Sequence, residues 1–292
     1  MGINTSFARL LARAKTQGTV FSDTLTIGRQ SLTIPSQEVP GLASQLGLTA
    51  FANIAEDSFA EGFLKSFLCA SSVRSMDYSA YQDADIVHDL NQPIPDELRG
   101  AFDTLIDGGS IEHIFDIKQV LSNYMGLVKR NGNIFLMTTA NNLCGHGFYQ
   151  FSPEFFYRVF DPSNGFETLE VALIESPLLS VERSRHTLCF HANDPSVVGK
   201  RIQLVNCRPT MIFVHAQKTS DIEPFSNPPL QSDYSGVKWE TKRIESGPEA
   251  ARQSSDKAEF SYLSIWEELR RRVRQRRKNS HRNKRFFKRI GF

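Results

Sequence analysis

The sequence predicts an α/β fold with a mostly parallel sheet, helices on both faces, an antiparallel hairpin at one edge and a basic C-terminal extension. Three observations predict it. Strand-like and helix-like patterns alternate between residues 48 and 220, which is typical of a parallel sheet. Two strand patterns close that region with no long helix between them. Basic residues then gather in the last part of the sequence.

The first predicted elements lie between residues 48 and 89. Residues 48–54 are an apolar run that we expect to form the first, buried strand. Residues 58–68 are expected to be helical, because large apolar residues recur there at helical spacing. Short strands are expected at 72–78 and 85–89, each with an aspartate near its end.

The later elements have clearer boundaries. Residues 102–106 are strand-like and run into a turn with two glycines. A helix over 114–128 should end at 129–132, where two bases precede a glycine. Residues 133–138 return as a buried strand, and Ser152 followed by Pro153 is a helix start, because serine caps and proline fits the first helical position. The closing hairpin strands are expected at 167–174 and 209–215.

Charge is unevenly distributed along the 292 residues. The formal net charge is +2, yet residues 269–292 hold 12 Lys and Arg and no acid, which leaves residues 1–268 at −10. Such asymmetry indicates a polyanionic or membrane-surface partner for the tail. The composition excludes a wholly disordered chain, and no apolar run has the roughly 20 residues that span a bilayer. The four cysteines show no C-x-x-C spacing, which favours a reducing compartment over a disulfide or cysteine–zinc framework.

Four segments are expected from these patterns. Residues 1–47 are an N-terminal segment, and 48–220 form the α/β domain. Residues 221–259 are proline-rich and polar, so we expect a linker or a segment that wraps the domain. Residues 260–292 are expected to form a basic amphipathic helix and tail.

Four stretches, in the right order and at the right spacing, resemble class I S-adenosylmethionine-dependent methyltransferases. Residues 101–116 (AFDTLIDGGSIEHIFD) resemble the fourth strand and the helix start after it, and 128–136 (VKRNGNIFL) the passage into the fifth strand. Residues 89–95 (DLNQPIP) resemble the third-strand segment, and 145–154 (GHGFYQFSPE) a stretch of members associated with glycan biosynthesis. The resemblance covers residues 48–220 and implies a Rossmann-like sheet that binds S-adenosylmethionine.

The resemblance also implies where the cofactor lies, since sheets of this kind bind ligands at the carboxyl ends of their strands. Asp77, ending the second strand, is expected to accept hydrogen bonds from ribose hydroxyls, and Asp89 and Leu90 are expected near the adenine. Asp107 and Gly108 are expected beside the methionine moiety, because a glycine lets the backbone approach a ligand. Turn formation or capping is the alternative role for these residues.

One stretch departs from the family pattern. Where the family has a Gly-x-Gly-x-Gly loop after the first strand, residues 54–62 have a single late glycine, with Glu56, Asp57 and Phe59 before it. Carboxylates there would repel the carboxylate of the cofactor, and a phenylalanine is bulky. The alternative of a catalytically inactive methyltransferase-like protein, used for interaction, therefore stays open.

The candidate catalytic residues are His113 and His146, expected at the mouth of the cleft, and Glu112, expected to orient one of them. Histidine suits a general base near neutral pH. Tyr149 and Asn142 are the candidate contacts to the acceptor. Helix capping, packing or turn formation are the alternatives for these residues. The seven histidines do not follow metal-ligand spacing, so no metal site is predicted.

Together these features predict methyl transfer from S-adenosylmethionine to a small molecule or a glycan or glycolipid intermediate, on oxygen. The tail leaves three interpretations open. It is a solvated end; or it binds anionic lipid through 266–292, where Trp266 and phenylalanines lie beside the bases; or it binds nucleic acid, which would make this a nucleic-acid-directed methyltransferase. The expected location is the cytoplasm, peripheral on a membrane surface if the tail binds lipid.

Overall fold

The computed structural model describes residues 2–48, 59–176, 187–234, 269–274 and 278–291. Its strands, numbered in chain order, are β1 (Gly2–Asn4), β2 (Asp23–Ile27), β3 (Ser31–Thr33), β4 (Ser72–Asp77), β5 (Ile86–Val87), β6 (Phe102–Asp107), β7 (Val128–Asn141), β8 (Phe166–Glu175), β9 (Leu188–Ala192), β10 (Thr210–Lys218) and β11 (Phe287–Ile290). Its helices are α1 (Thr5–Thr16), α2 (Val39–Gln45), α3 (Glu61–Ser66), α4 (Ile117–Leu127), α5 (Pro153–Val159) and α6 (Pro195–Val198).

Nine of these strands form one sheet in the order β11-β9-β8-β10-β7-β6-β2-β4-β5. Strands β5, β4, β2, β6 and β7 are parallel neighbours. Strand β10 is antiparallel to both β7 and β8, and β9 and β11 continue the sheet antiparallel. The fold is therefore the Rossmann-like α/β architecture that the sequence predicts. The antiparallel pairing of β8 with β10 is confirmed, but the pair does not form the edge of the sheet, because β9 and β11 continue it beyond β8.

Helices cover the sheet on both faces. Since successive residues of a strand point to opposite faces, neighbouring residues pack into two different cores. In β6, Leu105 packs into the core formed with α4 and α5, and the next residue, Ile106, packs into the core formed with α1, α2 and α3. Leu136 and Phe135 of β7 divide in the same way. Three layers result, with helices on each face of the sheet.

Local signals explain where two of the helices begin. Ser152 caps α5, since its side chain accepts from the backbone N–H of Phe155, and Pro153 occupies the first turn. At the other end of the chain, Asn4 caps α1, with its Oδ1 accepting from Phe7 N at 2.9 Å. The apolar side of α1, including Phe7 and Leu11, is fully buried.

The middle strand of the parallel part of the sheet differs from the sequence prediction. Most of the predicted first strand, 48–54, lies outside the described residues, and β2 is the middle one of the five parallel strands, between β4 and β6. Strand β2 is inconspicuous in sequence because it contains two threonines, Thr24 and Thr26, which are buried. The Thr24 hydroxyl donates to Phe21 O at 2.6 Å, which satisfies a buried polar group. The sheet thus extends into residues predicted as a separate N-terminal segment.

The basic tail also contributes to the sheet. Strand β11 pairs antiparallel with β9, and Phe286, Phe287 and Ile290 are buried. The two phenylalanines, which the lipid-binding interpretation of the tail treats as membrane anchors, are therefore core residues. Trp266 lies outside the described residues, as does most of the amphipathic helix predicted to begin at residue 260, of which residues 269–274 are described and helical. No helix within the described ranges combines the length and the apolar character needed to cross a bilayer.

Candidate functional site

A cleft with a volume of about 270 Å³ lies at the carboxyl ends of β2, β4 and β5 and beside the turn after β6. Its position follows from the parallel half of the sheet, where strand ends meet at one edge. The residues that line it are Ile27, Gly28, Met76, Asp77, Tyr78, His88, Asp89, Leu90, Asn91, Ser110, His113 and Ile114. Of the predicted site residues, Asp77, Asp89, Leu90 and His113 thus lie in one cleft.

The turn after β2 brings Asp77 to the cleft. Gly28 has a φ of +69°, which favours glycine, and its N–H donates to Met76 O at 2.7 Å. A Cβ on Gly28 would lie 3.7 Å from Asp77 Oδ2, so the carboxylate lies against the glycine turn. Among the described residues, no group donates a hydrogen bond to the Asp77 side chain, which leaves it available to a ligand. Gly28 was missed in sequence because β2 was missed.

Asp89 and Leu90 lie on a loop that a buried asparagine holds in place. Asp89 Oδ1 accepts from the backbone N and the side-chain Nδ2 of Asn91, at 2.9 and 2.8 Å, and these two bonds lower the pKa of the Asp89 carboxyl. Asn123 of α4 donates to Leu90 O and Gln92 O and accepts from Ile94 N. The sequence analysis missed Asn123. It could be recognised in sequence as a polar residue on the apolar side of the predicted helix.

Asp107 and Gly108 do not line this cleft. The Asp107 carboxylate is fully buried and accepts from Gly109 N, Ser110 N, Ile111 N and Tyr124 Oη. Burial, together with the nearby charge of Glu112, raises the pKa of Asp107 to about 6. The predicted cofactor contact is thus corrected: Asp107 holds the turn after β6 together. Gly108 does permit a close approach, but the groups that approach it are the Gln30 side chain and Gly2 O.

Gln30 is a second residue that sequence reasoning missed. Its side chain is buried beside the glycine turn, and its Nε2 donates to Ile27 O. Its Oε1 is buried and has no hydrogen-bond partner within the described part of the chain. An unsatisfied buried carbonyl oxygen costs free energy, so this atom marks a place where a ligand donor would be stabilising.

Glu112, His113 and His146 come together at the edge of the cleft. One ligand-type atom from each lies within 4.8 Å of the others, and the two imidazole centroids are 5.0 Å apart. Burial raises the pKa of the Glu112 carboxyl. Burial, and secondarily the charge of His146, lowers the pKa of His113. Helix α4 and strand β7 separate His146 from the other two in sequence. The sequence predicts both histidines at the mouth of the cleft with Glu112 beside one of them, but their spacing does not match a metal-ligand motif.

The predicted acceptor contacts lie outside the cleft lining. Tyr149 Oη donates to Phe115 O at 2.6 Å, which ties the loop after β7 to the turn after β6. Asn142 Nδ2 donates to Asn206 Oδ1 at 2.7 Å and to Arg208 O at 2.8 Å, so its side chain anchors the segment before β10. Tyr149 thus supports the site through its neighbours. Asn142 has a φ of +58°, which suits the turn role that was the alternative for it, but its side chain makes long-range contacts.

No protein-family model matches the chain, and no curated protein matches its sequence. Solved structures that resemble it include the Burkholderia thailandensis 1,6-didemethyltoxoflavin-N1-methyltransferase with bound S-adenosylhomocysteine, at 9% identity, TM-score 0.39, and coverage of 73% of this chain and 78% of that one. The N-methyltransferase NodS from Bradyrhizobium japonicum, also with S-adenosylhomocysteine, has 10% identity, TM-score 0.38, and coverage of 74% and 87%.

The branched-chain polyamine synthase from Thermus thermophilus, in complex with N4-aminopropylspermidine and 5'-methylthioadenosine, has 14% identity and a TM-score of 0.37. That match covers 75% of this chain and 58% of the synthase. Likeness at this level carries no conclusion about activity, so function rests on the residues of the cleft.

Proposed function

We propose that the chain is an S-adenosylmethionine-dependent methyltransferase that methylates an oxygen of a small molecule or a glycan-type intermediate. The observation that carries the proposal is the placement of two carboxylates, Asp77 and Asp89, at the ends of neighbouring strands in one cleft beside Gly28. Ligands of open α/β sheets bind at this edge. Carboxylates at the ends of adjacent strands suit a nucleoside, whose hydroxyl and amino groups are hydrogen-bond donors.

The residues present fit this cofactor. Asp77 would accept from the ribose hydroxyls, and Asp89 and the Leu90 backbone would lie near the adenine. Gln30 Oε1 is a buried acceptor without a hydrogen-bond partner among the described residues, but Gln30 does not line the cleft. Glu56 and Asp57, which the sequence sets against cofactor binding, lie outside the described residues. Phe59 lies under the Arg29 guanidinium, 4.0 Å from its ring centroid, and does not line the cleft.

The chain's own residues would handle the acceptor proton. S-adenosylmethionine, when bound, supplies a methyl group on a positively charged sulfur, which leaves as a neutral thioether when an acceptor oxygen displaces it. His113 lines the cleft, and burial lowers its pKa, so at pH 7 its imidazole is neutral and has a ring nitrogen that can accept a proton. His113 or His146 would take the proton that the acceptor hydroxyl loses, with Glu112 beside them to orient and stabilise the imidazolium.

An exposed aromatic pair beside this cluster supports binding of an acceptor with an apolar face. Phe115 and Phe148 are 73% and 66% exposed and pack edge to face at 5.9 Å. Large aromatic side chains exposed together at a cleft are typical of ligand contacts. Tyr149 supports the pair, because its ring packs against Phe148 and its hydroxyl binds Phe115 O.

Titration calorimetry with S-adenosylhomocysteine on the full chain tests the proposal. We expect micromolar-range binding, and Asp77→Asn should weaken it by about 10-fold or more, because charge-assisted hydrogen bonds contribute about 1.5–3 kcal/mol. Asp96→Asn is the matched control, since Asp96 is an exposed acid outside the cleft. Its affinity should equal that of the wild type.

Absence of binding at millimolar S-adenosylhomocysteine would contradict the proposal and favour the catalytically inactive interaction protein. Equal losses in Asp77→Asn and Asp96→Asn would contradict the assigned site. In the described part of the basic tail, Phe286 and Phe287 are buried and bases such as Lys288 and Arg289 are exposed, which favours neither lipid nor nucleic acid as a partner.

A further inference from the structure

Among the described residues, only one of the two oxygens of the buried Glu112 carboxylate accepts a hydrogen bond. Its side chain is fully buried, and Oε2 accepts from Thr138 Oγ1 at 2.7 Å. Oε1 has no hydrogen-bond partner among the described residues, although His146 Nε2 lies 3.5 Å away. That separation is long for a hydrogen bond but close for two ligands of one ion. A buried carboxylate oxygen in this state is stabilised by a cation.

The loop that carries His146 is shaped to bring it to Glu112. His146 lies between Gly145 and Gly147, which have φ values of +109° and +74°, a region that favours glycine. Phe148 N donates to Glu112 O at 2.7 Å, so the loop is joined to the turn after β6. At Gly147 the two backbones are so close that a Cβ would lie 2.6 Å from Glu112 O. The two segments are therefore held together without a ligand.

Two imidazole nitrogens and one carboxylate oxygen are the donor set of sites for Zn²⁺ and similar divalent transition metals. The three donor atoms lie within 4.8 Å of one another. Tetrahedral zinc with bonds of about 2.0–2.1 Å needs donors roughly 3.4 Å apart. The distance of 3.5 Å between Glu112 Oε1 and His146 Nε2 already matches this value. Both histidines are exposed, so their rings have room to rotate and shorten the remaining donor–donor distances.

We propose that Glu112, His113 and His146 form a three-ligand site for a divalent cation of the Zn²⁺ type at the edge of the cleft. Thr138 is its supporting residue, because it fixes the Glu112 carboxylate from behind. Three protein ligands leave at least one coordination position for water or an acceptor oxygen. If the site holds a metal, His113 and His146 would be its ligands, and the proton-accepting role proposed for them above would belong to the metal-free protein.

Equilibrium dialysis of the full chain against Zn²⁺, with metal analysis of the protein, tests this site. The protein carries no polyhistidine tag and no cofactor is added, so the result is independent of the proposed methyl transfer. We expect one tightly bound zinc per chain. Thr138→Val should weaken zinc binding by about 10- to 100-fold, the usual cost of losing a residue that hydrogen-bonds a metal ligand. His146→Ala and Glu112→Gln, which remove ligands themselves, should each weaken zinc binding by more than that.

His88→Ala is the matched control, since His88 is a histidine of the same cleft outside the cluster. It should bind zinc as the wild type does. Because the His146 side chain is 52% exposed, His146→Ala should fold even if Glu112→Gln does not. The proposal is overturned if the wild type takes up less than one zinc, or if His146→Ala binds zinc as tightly as His88→Ala. S-adenosylhomocysteine titration of chelator-treated protein then reports separately on the cofactor site.

Discussion

His215 shows how one buried side chain sets a pH response of the fold. It lies in β10, stacked on Phe135 with centroids 4.2 Å apart, and its Nε2 lies 2.9 Å from Asn133 Oδ1. Burial lowers the pKa of His215 to about 4, against the smaller raising effect of the Glu170 charge. The native state therefore keeps this ring neutral under conditions in which an unfolded chain protonates it.

The sign of the effect follows from the lowered pKa. The contribution of His215 to stability is complete above pH 6.5 and is lost as the pH falls toward 4, by about 2 kcal/mol at pH 5. In urea unfolding, the free energy of unfolding of the wild type minus that of His215→Gln should fall by about this amount between pH 7.5 and pH 5. A difference that does not change with pH would contradict it.

Single residues also show what the sequence could and could not predict of the site. The positions of Asp77 and Asp89 were predictable, because the carboxyl ends of parallel strands meet at the edge of the sheet where ligands bind. Asp107 ends a strand too, but its carboxylate turns inward to its own loop and to Tyr124, 17 residues away. The direction of that side chain depends on a tertiary contact that no local pattern encodes.

At the scale of elements, the loop between β7 and α5 depends on Gly147. A residue with a Cβ there would have to tolerate a φ of +74° and a collision with Glu112 O. Gly199, which follows α6, has a similar φ of +66° but open space around its Cβ position. Substitution of Gly199 therefore measures the cost of the positive φ alone, whereas substitution of Gly147 measures that cost together with the steric conflict.

Gly199→Ala should cost only the strain of a left-handed alanine, about 1–2 kcal/mol of unfolding free energy. Gly147→Ala should cost more, because either the loop or the turn bearing Glu112 must move. Denaturant unfolding of the two variants measures the difference. Equal losses would show that the loop accommodates the added methyl group.

The helices and strands differ in how clearly the sequence predicts them. Helix α4 was predictable because its apolar residues recur at helical spacing. Its end was not, because residues 129–132, expected to stop the helix, belong to β7, and the helix ends at Leu127. Strand β2 was not, because Asp23, Thr24 and Thr26 give a central strand a polar appearance. Their partners are backbone and side-chain groups elsewhere in the chain, including Asp103 Oδ2, which accepts from Asp23 N.

At the scale of the whole molecule, strand β11 connects the basic tail to the core. Phe287 is 2% exposed, and the strand covers the free edge of β9. The charge division of the sequence was predictable by counting. The docking of β11 was not, because a short run such as FKRI has no periodicity and its partner strand lies about a hundred residues earlier.

Phe287→Ala should lower the free energy of unfolding by about 3–5 kcal/mol, the usual cost of emptying a core phenylalanine site. Phe115→Ala is the matched control, since Phe115 is 73% exposed, and its cost should stay near 0.5 kcal/mol or below. Calorimetric or denaturant unfolding of both variants provides the comparison. A loss in Phe287→Ala as small as in the control would mean that β11 does not belong to the core.

Strand β11 also has a consequence for the order in which the protein assembles. Ile290 pairs with Cys189, so β9 finds its second neighbour only when the intervening hundred or so residues have left the ribosome. Until then the nascent sheet presents an open hydrogen-bonding edge, the kind of surface that recruits strands from other chains. Lys288 and Arg289, exposed on β11, then place like charges along the finished edge and discourage such pairing. The basic residues that the sequence suggests as contacts to a polyanion thus also discourage edge-to-edge strand pairing between copies of this chain.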